Sequence, residues 1–133
     1  MRPKNEWLTH DQLVYVVLKS LPAVLVEIAP PLHPDNEMLT ETEMPLGPLY
    51  ADVVARMRHH QEGGKWALIV EVKSNFEQWS AGAVIRQLKG YREKLRQDYS
   101  KVSLGFFCDR ILTEEEVFLF NHEKVVLIQA APR

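Results

Sequence analysis

The sequence has little cysteine and no long apolar run. Cys108 is its one cysteine, so the chain can form neither an internal disulfide nor a cysteine-based zinc site. Cys108 ends a short apolar run and is interpreted as a wall residue of the core rather than a nucleophile. No stretch has the length and composition of a signal peptide or a membrane span. We therefore expect no membrane association and a cytoplasmic location, in a host's cytoplasm if the chain is viral.

A strong net charge is also missing. The formal charge is −2, which argues against a protein that simply coats nucleic acid. With 133 residues, 46% of them hydrophobic, the chain fits a single domain over residues 1–133 that buries its own core. Basic residues are concentrated locally, in residues 86–101, where they would suit a phosphate backbone. A solvated helix face is the alternative for this cluster.

Apolar periodicity and turn residues predict eight elements in the order αβββαβαβ. A helix is expected over residues 9–21, ended by Pro22, then a strand over 23–28 and a proline-rich loop over 30–48. The remaining predicted elements are strands at 49–57 and 66–73, a helix at 80–99, a strand at 102–107, a helix at 114–120 that Thr113 caps, and a strand at 125–129. This order predicts an α/β (α+β mixed) fold, with a mixed sheet between helices.

Three charged residues stand inside strands that are otherwise apolar. Glu71 and Lys73 are two positions apart and so share one face of their strand, opposite Leu68, Val70 and Val72. Burying such groups costs several kcal/mol unless each has a partner; a solvent-facing pair at the strand end is the alternative. If the strand before the glycine turn pairs with this one, Asp52 approaches Glu71. Two carboxylates beside an amine form a hard-oxygen site that suits Mg²⁺, with Mn²⁺ as a substitute.

These residues resemble the PD-(D/E)XK nuclease superfamily. The resemblance covers residues 49–107 and consists of Asp52, then Glu71-Val72-Lys73, then a helix with a glutamine and tyrosine in QxxxY spacing, Gln87 and Tyr91. It implies a restriction-endonuclease-like core that hydrolyses DNA phosphodiesters with Mg²⁺. The implied catalytic residues are Asp52, Glu71, Lys73 and Gln87, and the implied metal ligands are Asp52, Glu71, the carbonyl of Val72 and Asp11.

The acid of the first helix is the least determined of these ligands. The superfamily usually has one there, and Asp11 lies near the expected helix start, with Glu6 and Glu27 as alternatives. A first-turn acid that favours the helix dipole is an equal explanation for Asp11. The chain also departs from the superfamily pattern, because Ala51 rather than proline precedes Asp52.

Several residues around this motif are predicted to contact DNA. Trp79 is interpreted either as a base-stacking residue or as a lid over the helix start, and His59 and His60 as turn residues near a phosphate. The predicted DNA-binding residues are Ser74, Arg86, Lys89, Tyr91 and Arg92.

Glu71, Lys73 and Ser74 give the E-x-K-S order of small archaeal and viral Holliday junction resolvases. That resemblance implies a homodimer that cuts four-way junction DNA symmetrically. The alternatives are another PD-(D/E)XK endonuclease (restriction, repair, flap or mismatch) and a non-catalytic DNA-binding module with the same fold.

Overall fold

The computed structural model describes residues 6–28, 38–46, 49–58 and 65–128. Its helices and strands follow in the order α1 (His10–Ile28), β1 (Met38–Leu46), β2 (Leu49–Arg58), β3 (Lys65–Lys73), α2 (Ala81–Leu95), β4 (Lys101–Cys108), α3 (Glu114–His122) and β5 (Val125–Leu127). The predicted fold class is confirmed, since a mixed sheet is flanked by helices. None of the described helices is both long and apolar enough to cross a membrane.

The sheet has five strands in the order β1-β2-β3-β4-β5. β1 pairs antiparallel with β2 and β2 pairs antiparallel with β3, whereas β3 with β4 and β4 with β5 are parallel pairs. Helix α2 makes the crossover from β3 to β4, because two parallel neighbours need a long connection. β3 is therefore the central strand and is buried from Ala67 to Val72.

Each face of the sheet is covered by a different helix. On one face, Leu13, Val17 and Leu21 of α1 pack against Leu68 and Val70 of β3, in a cluster that also contains Val72. The spacing of four residues places the three helical side chains on one stripe. On the other face, α2 packs in a cluster that contains Ile69 of β3. The predicted division of β3 into two faces is thus confirmed.

Two of the predicted elements are wrong. Residues 23–28 are not a strand, because α1 continues past Pro22 to Ile28. Val24 extends the buried stripe of α1, and the apolar contact that it gains outweighs the one helical hydrogen bond that Pro22 removes. The first strand lies instead within the predicted loop of residues 30–48, as β1. It pairs on one side with β2 and is the edge of the sheet, where proline and charged side chains are tolerated.

The observed starts of α2 and α3 agree with the starts predicted from the sequence. Ser80 caps α2, and its side chain accepts a hydrogen bond from the backbone N–H of Ala83 at 3.2 Å. Thr113 caps α3 as predicted, in a capping box with Glu116. α2 ends at Leu95 rather than at residue 99. The predicted turn residues His59 and His60 lie outside the described residues.

Candidate active site

Asp52 and Glu71 face each other across two neighbouring strands. β2 and β3 pair with Val53 opposite Val70 and Val54 opposite Ile69. Asp52 and Glu71 come directly beyond the pair that Val53 makes, the last of this register, and a hydrogen bond joins their side chains. The regular pairing stops there, so the two carboxyl groups lie where the strands begin to separate.

Both carboxylate oxygens of Asp52 have partners. Oδ2 accepts a hydrogen bond from the backbone N–H of Val72 at 2.8 Å, and Oδ1 lies 3.1 Å from Nε2 of His10. In a strand, the N–H and C=O of one residue point to the same neighbouring strand. The carbonyl of Val72 therefore faces β2 as well, on the side of Asp52.

Glu71 is the most deeply buried charged residue of the site, with 3% of its surface exposed. Burial raises the pKa of its carboxyl group to about 10, and the hydrogen bond to Asp52 and the negative charge there act in the same direction. The positive charge of Lys73 lowers the pKa only in part. Glu71 therefore holds a proton at neutral pH in this environment. Its Oε2 is buried and has no hydrogen-bond partner among the described residues.

Tyr91 fastens α2 to the strand that carries Asp52. Its hydroxyl group donates a hydrogen bond to the carbonyl of Tyr50 at 2.9 Å and accepts one from Nε2 of Gln87 at 2.6 Å. Burial, followed by the negative charge of Glu71, raises the pKa of Tyr91 to about 12. With 2% of its surface exposed, Tyr91 cannot contact DNA in this conformation, because its side chain packs inward from α2 to the sheet. The structure therefore places Tyr91, which the sequence predicts to bind DNA, inside the protein with a link between α2 and β2.

Ser74 is also buried, with 3% of its surface exposed. Its Oγ accepts a hydrogen bond from the backbone N–H of Phe76 at 3.3 Å. The predicted contact of Ser74 with DNA is thus replaced by a contact inside the turn that follows β3.

The basic residues of α2 lie in different surroundings. Arg86 is exposed and Arg92 is partly buried. Lys89 makes an ion pair with Glu123, with 2.7 Å between Nζ and Oε2. The predicted stripe is therefore not uniformly available to a phosphate backbone, since one of its three cations already has an anionic neighbour.

The structure does not place Asp11 in a metal cluster. Its side chain is 94% exposed, and its neighbour is His10, 3.8 Å away. Within the described residues, no three His, Cys, Asp or Glu side chains come together as a metal site. Glu6 is exposed, and the side chain of Glu27 lies outside the described part. The structure thus does not bring Asp11 together with the other predicted ligands, because one step along a helix rotates the side chain by about 100°.

That same rotation brings His10, which the sequence reasoning missed, to Asp52. A partial signal was available, because His10 stands beside the predicted acid at the helix start.

Trp79 lies against other side chains. Its ring is 5.0 Å from that of Phe106, and the guanidinium group of Arg110 lies 4.2 Å from its centre. Arg110 is held in turn by Glu116, 2.7 Å away. This packing supports the interpretation of Trp79 as a lid and leaves its ring covered rather than free to stack on a base.

Three solved structures are similar to this chain. A repair endonuclease from Pyrococcus abyssi superposes with a TM-score of 0.50 at 17% identity, over 87% of this chain and 47% of that one. An EndoMS–dsDNA2 complex (TM-score 0.47, 21% identity) aligns over 87% of this chain and 46% of that one. EndoMS in its apo form (TM-score 0.46, 20% identity) aligns over 95% and 48%. At 17% identity the likeness to the Pyrococcus abyssi structure shows the fold alone.

The chain spans about half the length of these structures. No protein family and no curated protein matches the sequence.

Proposed function

We propose that this protein is a metal-dependent DNA endonuclease that hydrolyses phosphodiester bonds. The observation that carries the proposal is the carboxyl pair of Asp52 and Glu71, which face each other where β2 and β3 separate. Lys73 follows on the same face of β3 as Glu71. Acidic groups are seldom brought together in this way without a function, because two negative charges at short distance repel each other.

The oxygen atoms of this pair suit a divalent cation. The buried Oε2 of Glu71 has no hydrogen-bond partner among the described residues, and a carboxylate oxygen in that position is a ligand that Mg²⁺ prefers. Asp52, Glu71 and the carbonyl of Val72 would hold the ion, with Mn²⁺ as a substitute. When bound, the ion would supply an activated water and stabilise charge on the phosphate. These three protein ligands leave coordination positions for the several water molecules that a bound Mg²⁺ usually keeps.

The other residues of the site hold the reacting groups in place. Val72 and His10 fix the two oxygens of Asp52, and Lys73 provides a positive charge against the phosphate. Through Tyr91, Gln87 holds the backbone of β2 two residues before Asp52. Gln87 therefore acts as a positioning residue in this proposal.

For the substrate, we propose DNA in which the regular duplex is interrupted. Four-way junctions come first, because the E-x-K-S order of Glu71, Lys73 and Ser74 resembles junction resolvases, and two symmetric cuts would require a C2 homodimer. Repair substrates such as mismatches and flaps are the second candidate, since the fold is shared with a repair endonuclease.

The test is a cleavage panel with four-way junctions, flaps, mismatches and linear duplex, in Mg²⁺, Mn²⁺ or EDTA. Asp52→Asn and Glu71→Gln should reduce the cleavage rate at least 100-fold while DNA binding persists. Asp11→Asn is the matched control, because this acid is fully exposed on the helix beside the site, and it should cut like the wild type. A wild type as inert as Glu71→Gln on every DNA would favour the non-catalytic module.

A further inference from the structure

An exposed aromatic ring lies in the turn that follows the strand of Glu71 and Lys73. Phe76, in the turn after β3, has 52% of its surface exposed. Its ring packs edge-on against that of Trp7, with 5.2 Å between the ring centres and 68° between the planes. Trp7 belongs to the segment that precedes α1. The contact thus joins the entry to α1 with the exit from β3.

The turn that carries Phe76 is held by its own hydrogen bonds. The backbone N–H of Ser74 donates to Oε2 of Glu77 at 2.6 Å, and the N–H of Glu77 donates to the carbonyl of Ser74 at 3.2 Å. Nδ2 of Asn75 donates to the carbonyl of Asp109 at 3.0 Å, which fastens the turn to the end of β4. Phe76 is therefore presented to solvent by a structured turn, although exposing an aromatic ring forgoes the gain of burying it.

Both rings are close in sequence to residues of the site. Phe76 follows Lys73 by three residues, and Trp7 precedes His10 by three. Three residues span at most about 10 Å, whereas successive nucleotides of a strand rise by about 3.4 Å. A DNA strand with a phosphate at the site would therefore have nucleotides a few steps away within reach of the turn that carries Phe76.

We propose that Phe76, supported by Trp7, is a stacking platform for an unpaired nucleobase next to the cut phosphate. The assignment rests on the proposed nuclease function and narrows its substrate class. Every base has an aromatic face that can stack on an exposed ring, without regard to sequence. In a continuous duplex those faces are already covered by neighbouring bases, so the platform favours DNA with unpaired bases near the cut.

The experiment compares Phe76→Leu with the wild type. Leucine keeps an apolar side chain but removes the ring. Phe118→Leu is the matched control, because Phe118 is an exposed phenylalanine, 67% accessible, on α3. The probe is a forked DNA with 2-aminopurine at the first unpaired positions beside the fork. A fully paired duplex of the same sequence, with 2-aminopurine at the same positions, serves as the comparison. Binding is followed in EDTA by fluorescence anisotropy and by 2-aminopurine emission.

The wild type and Phe118→Leu should bind the fork more tightly than the duplex and change the emission of 2-aminopurine in the fork. Phe76→Leu should bind the fork about tenfold more weakly, as expected for one lost stacking contact, with affinity for the duplex unchanged. Phe76→Tyr keeps the aromatic ring and should retain both the tighter binding of the fork and the change in 2-aminopurine emission. A loss in Phe76→Leu is then due to the missing ring and not to a general folding defect.

An equal loss on both DNAs, no loss on either, or a wild type that fails to bind the fork would overturn the platform. A changed mass of Phe76→Leu in light scattering would also overturn it, by assigning the ring to a protein contact. If the wild type cleaves DNA but the emission of 2-aminopurine is the same with Phe76→Leu, the platform alone is refuted. Intact base stacking without cleavage of any substrate refutes the proposed nuclease activity alone.

Discussion

The protonation of Glu71 should be visible in the folding stability of the protein. The carboxyl group has a pKa of about 10 in the folded chain against an ordinary value of 4.5. Between these two pH values the folded state binds a proton that the unfolded state has released. The free energy of unfolding therefore falls as pH rises, by about 1.4 kcal/mol per pH unit for this group.

Glu71→Gln removes this dependence, because an amide of nearly the same shape has no proton to lose. Relative to the wild type, the free energy of unfolding of the variant should therefore increase as pH rises above about 4.5. The increase should be at most about 4 kcal/mol at pH 7.5, three pH units higher. Since Glu71 is 3% exposed, solvent screening does little to reduce the effect. The slope of the free energy of unfolding against pH does not depend on the exact pKa of Glu71 in the folded chain, as long as that pKa stays well above the pH of measurement.

The assay is urea denaturation of both proteins in EDTA between pH 5 and 8, with the same buffer ions throughout. Asp11→Asn again serves as the control, because its carboxyl group is exposed. A constant difference in stability between Glu71→Gln and the wild type over this range would refute a buried protonated Glu71. When Mg²⁺ replaces EDTA, the wild type should become more stable and Glu71→Gln should not, since a ligand that binds only the folded state stabilises that state.

Two further substitutions test the packing around the site. Tyr91→Phe leaves the carbonyl of Tyr50 and the amide of Gln87 without their partner. It should lower the free energy of unfolding by about 1–3 kcal/mol, and an unchanged urea midpoint would contradict the proposed link between α2 and β2. Pro22→Ala restores a backbone N–H inside α1 and should raise the free energy of unfolding by about 1–3 kcal/mol; a thermal midpoint equal to or below that of the wild type would contradict this.

Local sequence pattern was sufficient for the faces of β3 and for two helix starts. The two faces of β3 followed from alternation along one strand, because successive side chains of a strand point to opposite faces. The starts of α2 and α3 followed from Ser80 and Thr113, whose side chains satisfy backbone groups within a few residues. In each case the interacting groups are near neighbours in the chain.

Prediction from the local sequence pattern failed where a local signal opposed a tertiary contact. Pro22 is a strong local reason to end a helix, yet α1 continues because Val24 is buried against the sheet. β1 was hidden among prolines and acids, and it exists because β2 provides hydrogen-bond partners along its length. The gain in both cases comes from residues distant in sequence, which no local window contains.

For the candidate site, the sequence by itself determined that Asp52, Glu71 and Lys73 are acids and a base placed within apolar strands. Only the tertiary structure decided that the side chains of Asp52 and Glu71 meet, and that His10 rather than Asp11 reaches Asp52. It also turned Tyr91 inward and placed Trp7 against Phe76. The physical reason is that residue type fixes the chemistry a side chain offers, whereas its neighbours depend on strand register and on the rotation of each helix about its axis.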